Sequence, residues 1–232
     1  AEIILLTKPL KLDYNTMGKK NFTILPQFIQ KGFLKGLDPF IERIVRIQVH
    51  PNHFTILGLV ISLISAFFYA KHNIRLGGLF ILLSGICDII DGKVARKTGQ
   101  SSKFGALFDS SLDRYAELFM FLGTAIYFVQ KDHPITSIMV FLALGGSMMV
   151  SYVRARAEGL GFECKVGIMQ RPERIVYIGV GSLIHPYLLE LVIWMIAILS
   201  NFTAIQRMYH VRVLEQQSKK TVENTPADTS NQ

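Results

Sequence analysis

Four aspartates between positions 88 and 113 are the residues of this chain most able to do chemistry. Asp88 and Asp91 are three positions apart and Asp109 and Asp113 four apart, so each pair lies on one face of a helix. Both flanks are strongly apolar, and carboxylates near the hydrocarbon of a bilayer are costly and usually functional. A carboxylate-rich set without Cys or His suits Mg²⁺ or Mn²⁺. The sequence predicts that all four bind metal, with two ions clamping a pyrophosphate for in-line displacement at phosphorus.

Two other interpretations of these aspartates are open. The carboxylates could form buried salt bridges with Arg96 and Arg114, although four carboxylates beside two arginines leave excess negative charge. A carboxylate-lined ion transporter also places acidic residues in the membrane, but it more often spreads them over several spans near the midplane. The clustering at one end of a helix pair favours the metal site.

The elements that must position the aspartates are predicted to be membrane helices. Half of the 232 residues are hydrophobic and the mean hydropathy is +0.34, which is typical of an all-α membrane protein. Six transmembrane helices are expected, since each needs about 20 residues to cross the hydrocarbon. Their predicted ranges are 53–71, 74–97, 104–130, 134–158, 171–184 and 186–212.

The remaining segments divide the chain into four parts. Residues 1–26 are mixed and irregular and predict an N-terminal strap, whereas residues 27–49 alternate apolar and basic positions at helical spacing. That second pattern predicts a juxtamembrane amphipathic helix, lying in the membrane interface or packed on the protein's own core. The six-helix domain occupies residues 50–212, and residues 213–232 form a polar tail predicted to be disordered.

The distribution of basic residues predicts how the helices are oriented in the membrane. The net charge is +8, and Lys and Arg collect in the N-terminal segment, in alternate helix connections and after the last helix. Positive charge accumulates on the cytoplasmic side, so both termini and the aspartates are predicted to face the cytoplasm from a multi-pass protein of the cell inner membrane. The basic balance indicates anionic lipid as a partner rather than nucleic acid. Cys87 and Cys164 lack metal or redox spacing and are predicted to be reduced.

The aspartates belong to a longer pattern with fixed spacing, and this pattern resembles the signature of the CDP-alcohol phosphotransferase family. The resemblance implies a six-helix membrane enzyme, usually a homodimer. Such an enzyme moves a substituted phosphate from a CDP-linked lipid, here CDP-diacylglycerol, to an acceptor hydroxyl and releases CMP. The pattern reads Asp88-x2-Asp91-Gly92-x2-Ala95-Arg96-x8-Gly105-x3-Asp109-x3-Asp113.

The resemblance also implies roles within the signature. Asp88, Asp91 and Asp109 are expected to be the main metal ligands, and Asp113 is expected to complete the site and act as general base. Asp109 and Asp113 are thus the catalytic pair. The expected nucleotide-binding residues are Asp88, Gly92, Ala95, Arg96 and Gly105.

The signature leaves the acceptor open, and three arginines outside it bear on that choice. The sequence around Arg154, Arg174 and Arg207 resembles the phosphatidylinositol-phosphate synthases, in which equivalent basic positions bind the phosphate of inositol phosphate. The resemblance therefore implies a phosphorylated polyol as acceptor, with inositol phosphate first. Glycerol phosphate is the alternative, because its pocket would also need basic residues.

These arginines have a plainer interpretation as well. Basic residues at helix ends can be positive-inside anchors, or partners for Glu158 and Glu173. We favour that interpretation for Arg156 and Arg171, and phosphate binding for Arg174 and Arg207.

Overall fold

All regular secondary structure in the described part of the chain is helical. The computed structural model describes residues 27–223, with the side chains of residues 36–217, and contains seven helices and no strand over that range. The all-α prediction is confirmed, and the predicted strap at 1–26 lies outside the described residues. The helices are α1 Gln27–Arg46, α2 Pro51–Ala70, α3 Ile74–Thr98, α4 Lys103–Gln130, α5 Pro134–Gly159, α6 Arg171–Ile184 and α7 Pro186–Glu223.

Each predicted span corresponds to one of the helices α2 to α7, with one difference at the C-terminal end. Helix α7 continues to Glu223, so the boundary predicted at 213 falls inside a helix, and the prediction of a disordered tail is wrong for residues 213–223. These residues include Leu, Glu, Gln and Lys, which favour helices, and contain neither Gly nor Pro. Residues 224–232 lie outside the described range.

Length and composition identify candidate membrane spans in part of the bundle. The helices α2 and α5, and α7 over Pro186–Gln217, are each long and apolar enough to span a membrane. The helices α3 and α4 carry the aspartates, and α6 has only 14 residues. Large apolar side chains such as Ile138, Phe141 and Ile198 stay exposed on the outside, as expected of a surface in contact with lipid. The count of six spans remains a prediction.

The turn between α3 and α4 fixes the relative position of the two aspartate pairs. Gly99 ends α3 in the left-handed conformation, with φ of 68°, which glycine adopts without a steric penalty. Ser102 then caps α4 by accepting a hydrogen bond from the Gly105 N–H at 2.9 Å. Because this connection is short and capped at both ends, it holds the end of α3 beside the start of α4.

Close helix packing brings the site-bearing helices together. Helix α2 packs against α3 and α4, α3 packs against α6, and α5 packs against α7. A Cβ added to Gly123 would lie 2.5 Å from the Cα of Ala66, and one added to Gly78 would lie 2.7 Å from the carbonyl oxygen of Gly179. Glycines therefore permit backbone contact at both crossings.

Helix α1 packs on the outer face of α3. Ile41 is fully buried and belongs to a small apolar cluster with Ile90 of α3, and Lys93 Nζ donates to Asp38 Oδ1 at 2.8 Å. This contact holds the pKa of the Asp38 carboxyl below its usual value. Phe40 remains exposed. One face of the amphipathic helix thus packs on the protein's own core, while its position in a membrane interface remains a prediction.

Candidate active site

Three of the four aspartates converge on one point. Asp88, Asp91 and Asp109 each offer a carboxylate oxygen, and these oxygens lie within 4.8 Å of one another. Asp91 is buried and accepts a hydrogen bond from Thr55 Oγ1 at 2.9 Å. The buried Oδ1 of Asp109 has no hydrogen-bond partner. A buried carboxylate oxygen without a hydrogen-bond partner, close to other carboxylates, is stabilised by a bound cation. These residues therefore fit a divalent ion.

Asp113 is arranged differently from the other three. Its Oδ2 lies 2.6 Å from Nη1 of Arg171, and the same nitrogen lies 2.9 Å from Oδ2 of Asp88. The interpretation of Arg171 as a partner for Glu158 or Glu173 is therefore wrong, whereas a role as a positive-inside anchor remains a prediction. Within residues 36–217, Arg171 rather than Arg96 or Arg114 forms the ion pairs of these aspartates. Arg171 starts α6, and the packing of α6 on α3 carries it into the site.

A cleft opens beside the aspartates. Its volume is about 170 Å³, and it lies between the start of α2, the end of α3 and the start of α4. Four predicted nucleotide-binding residues line it, namely Gly92, Ala95, Arg96 and Gly105. The fifth, Asp88, lines a small adjoining pocket with Asp91 and Asp113. The wall is completed by Pro51, Asn52, Thr55, Asp91, Gln100, Ser101, Ser102, Ala106 and Asp109.

The small residues of the cleft have a geometric role. A Cβ added to Gly92 would lie 3.4 Å from Nη1 of Arg96, at the short limit of ordinary contact. The Arg96 guanidinium thus lies close to Gly92, and both residues line the cleft. The result is an open cleft lined by hydroxyl, amide, carboxylate and guanidinium groups, which suits a polar, phosphate-bearing ligand.

Of the predicted acceptor residues, Arg174 is completely buried. Its Nε donates to Glu117 Oε1 at 2.6 Å, and its Nη1 donates to the carbonyl oxygen of Met169 at 3.1 Å. Its Nη2 is buried and has no hydrogen-bond partner. The glutamate that pairs with Arg174 is thus Glu117 and not Glu173, the partner considered in the alternative interpretation.

The other two predicted acceptor residues are also engaged. Arg207 is 3% exposed and donates to the carbonyl oxygens of Val166, at 2.8 Å, and Val150. The side chain of Arg154 is 44% exposed and pairs with Glu158 at 2.8 Å, as the plainer interpretation expected. Arg207 reaches the carbonyl oxygen of Val150, which lies one helical turn before Arg154 on α5, so these two arginines lie in the same region. Phosphate binding by Arg154, Arg174 and Arg207 remains a prediction.

Sequence reasoning missed three residues of the site. Glu117 continues the spacing of Gly105, Asp109 and Asp113 by four further positions, so its place on the same face of α4 could have been found. Arg171 could have been suspected because the aspartates needed a cation. No spacing in the sequence marks Thr55, whose hydroxyl reaches Asp91 from α2.

Comparisons with known proteins agree with this geometry. The family model for CDP-alcohol phosphatidyltransferases matches residues 48–206. An archaetidylinositol phosphate synthase from Methanothermobacter thermautotrophicus is 38% identical over 194 residues, covering 79% of this chain and 96% of that protein. A phosphatidylinositol phosphate synthase from Streptomyces avermitilis is 31% identical over 210 residues, covering 85% of each chain.

Solved structures show the same likeness in three dimensions. The phosphatidylinositol phosphate synthase of Mycobacterium tuberculosis with CDP-DAG bound superposes with a TM-score of 0.67 at 28% identity, covering 75% of this chain and 92% of that one. A crystal structure of that enzyme with manganese and citrate gives a TM-score of 0.69, also at 28% identity, covering 75% and 87%. The signature, the family match and the superposed bundle together show that the chain belongs to the CDP-alcohol phosphatidyltransferase family.

Proposed function

We propose that this protein transfers the phosphatidyl group of CDP-diacylglycerol to a phosphorylated polyol, inositol phosphate in the first place, and releases CMP. The observation that carries the proposal is the convergence of Asp88, Asp91 and Asp109 at the edge of a cleft lined by the signature residues. Membership of the family and the names of the relatives support it.

The donor would bind with its pyrophosphate at the aspartates. Asp88, Asp91 and Asp109 would hold Mg²⁺ or Mn²⁺, two ions in all once Asp113 takes part, and the bound metal would neutralise the pyrophosphate and the leaving CMP. A relative that binds manganese supports this choice of metal. Arg96 would lie beside the phosphates, and Gly92 would leave room for them.

The chemical step would use Asp113 as the base. The acceptor hydroxyl attacks the phosphorus that carries the lipid, and the bond from that phosphorus to the CMP oxygen breaks. The hydroxyl proton passes to the Asp113 carboxylate. Positioning and charge neutralisation supply most of the rate enhancement, because the mechanism requires no covalent bond between the protein and the substrate.

The acceptor would be held through its own phosphate by Arg154, Arg174 and Arg207. Charge-assisted hydrogen bonds from guanidinium groups suit a dianionic phosphate, and a neutral polyol or serine could not make them. The names of the two reported relatives differ in the lipid part, archaetidyl or phosphatidyl, and share inositol phosphate. This shared part supports inositol phosphate over glycerol phosphate.

We infer that six helices, α2 to α7, cross the cell inner membrane and that both termini and the aspartate site face the cytoplasm. The distribution of Lys and Arg supports this orientation. The family resemblance supports a homodimer.

The proposal is tested by measuring CMP release from CDP-diacylglycerol by the purified protein. We expect CMP only when inositol phosphate and Mg²⁺ or Mn²⁺ are both present, and none after chelation of the metal. Release that does not depend on an acceptor would indicate hydrolysis. Carboxylate-dependent ion flux in proteoliposomes, without CMP release from the donor, would favour the ion transporter instead.

A further inference from the structure

Arg171 places a cation of the protein itself inside the aspartate site. Its Nη1 bridges Asp88 and Asp113, at 2.9 and 2.6 Å. Asp88 also belongs to the set of three convergent carboxylates, whereas Asp113 does not. The four aspartates therefore divide into a convergent triad, of which only Asp88 contacts Arg171, and a fourth carboxylate outside the triad that is paired with the guanidinium.

The contacts of Arg171 show how it is held. Its side chain is 16% exposed, so solvent screens its ion pairs only in part. Its Nε is buried and has no hydrogen-bond partner. A buried donor without a partner is costly, which lowers the cost of moving the guanidinium to another anion.

A second divalent ion would compete with this arrangement. An ion bound to Asp113 and shared with Asp88 would need the oxygens that now face Arg171, and it would place a double positive charge beside the guanidinium. At separations of about 4 Å such like charges repel strongly even at the effective dielectric of a protein surface. The guanidinium and the ion cannot occupy this place together.

We propose that the Arg171 guanidinium occupies the position, between Asp88 and Asp113, at which a second divalent ion would bind. One divalent ion binds to Asp88, Asp91 and Asp109 with Arg171 in place, and a second binds at Asp113 only by displacing Arg171. Arg171 is thus a positioning residue that acts through the two carboxylates and makes metal loading stepwise. The pyrophosphate of the donor brings the negative charge that offsets both the second ion and the released guanidinium. This inference rests on the proposed metal site.

The test is Mn²⁺ binding to the full-length protein in detergent, without donor, followed by the electron paramagnetic resonance of free Mn²⁺. We expect one tight ion per wild-type chain and a second that binds much more weakly. Arg171→Gln should tighten the second ion by about tenfold or more, because the competing charge is gone. Arg171→Lys should behave like the wild type, since it keeps a cation there. Arg75→Gln, at the exposed far end of α3, is the matched control and should change neither ion.

Two equally tight ions in the wild type, or an unchanged second affinity in Arg171→Gln, would overturn the inference and leave the metal site standing. Absence of tight Mn²⁺ binding in every variant would instead refute the metal site itself. Asp113→Asn gives a second approach if Arg171→Gln does not fold. It should keep the first ion and lose the second, and a second ion of wild-type affinity in this variant contradicts the proposal.

Discussion

The aspartate region and the arginine region of this molecule lie at the same end of the bundle, yet they are built in different ways. The aspartates come from two helices joined by a capped turn, and they face an open cleft. The three predicted acceptor arginines come from three helices. Arg174 and Arg207 are buried and donate to Glu117 and to backbone carbonyls.

The difference shows what each group is free to do. The Asp109 oxygen and the Arg174 Nη2 both lack a partner. The aspartates face an open cleft, whereas Arg174 and Arg207 already donate other N–H groups to Glu117 and to backbone carbonyls. The arginines thus also stabilise the bundle, so changes at them should alter stability as well as acceptor binding, whereas changes at the aspartates should act mainly on the cleft. Substitutions in the aspartate region and in the arginine region should therefore have different effects.

The largest effect is expected for Asp113→Asn. Loss of the proposed base should lower kcat by about 100- to 10,000-fold, while the fold and the donor binding that depends on the ion at Asp88, Asp91 and Asp109 persist. The measurement is CMP release at saturating substrates, together with thermal unfolding. Asp132→Asn is the matched control, because Asp132 is exposed between α4 and α5 at the other end of the bundle. Near-wild-type turnover in Asp113→Asn would remove the base from Asp113.

Asp109→Asn and Asp88→Asn should weaken donor binding as well as turnover. Each removes one carboxylate charge from the convergent triad, so the concentration of Mg²⁺ or Mn²⁺ needed for half-maximal activity should rise. Metal titrations of CMP release measure this. If both variants kept the wild-type metal requirement, the triad would not be the metal site.

Arg174→Gln should destabilise the protein more than any change at Arg154. It leaves the buried Glu117 carboxylate without its partner, and loss of one member of a buried pair costs about 3–5 kcal/mol. Thermal unfolding in detergent, compared with Glu117→Gln and the double variant, measures the coupling. Arg154→Gln removes only an exposed pair with Glu158 and should unfold like the wild type. Equal stability of Arg174→Gln and the wild type would contradict the structural role.

The smallest effect is expected for Arg207→Gln. The apparent KM for inositol phosphate should rise by about tenfold or more, since a charged hydrogen bond contributes about 1.5–3 kcal/mol. The KM for CDP-diacylglycerol should stay nearly constant. Separate titrations of the two substrates distinguish these effects, and an equal rise in both KM values would mean that Arg207 only supports the bundle.

The same contrast explains what the sequence could predict. Helical spacing along α3 and α4 determines which aspartates share a face, and the short turn determines that the faces meet, so the convergence of Asp88, Asp91 and Asp109 could be expected from the sequence. The separate position of Asp113, paired with Arg171, could not. The ion pairs of Arg171 and Arg174 join residues more than fifty positions apart. They depend on how α6 packs against α3 and α4, and spacing within one helix carries no information about that packing.

The central claim is tested most directly by offering the purified protein CDP-diacylglycerol with four acceptors at equal concentration and measuring CMP release. The acceptors are inositol phosphate, glycerol phosphate, free inositol and serine. Our account predicts the fastest release with inositol phosphate and little with the two acceptors that carry no phosphate. Faster release with free inositol or serine would contradict the claim that the acceptor is held by its phosphate, and a preference for glycerol phosphate would overturn the named acceptor.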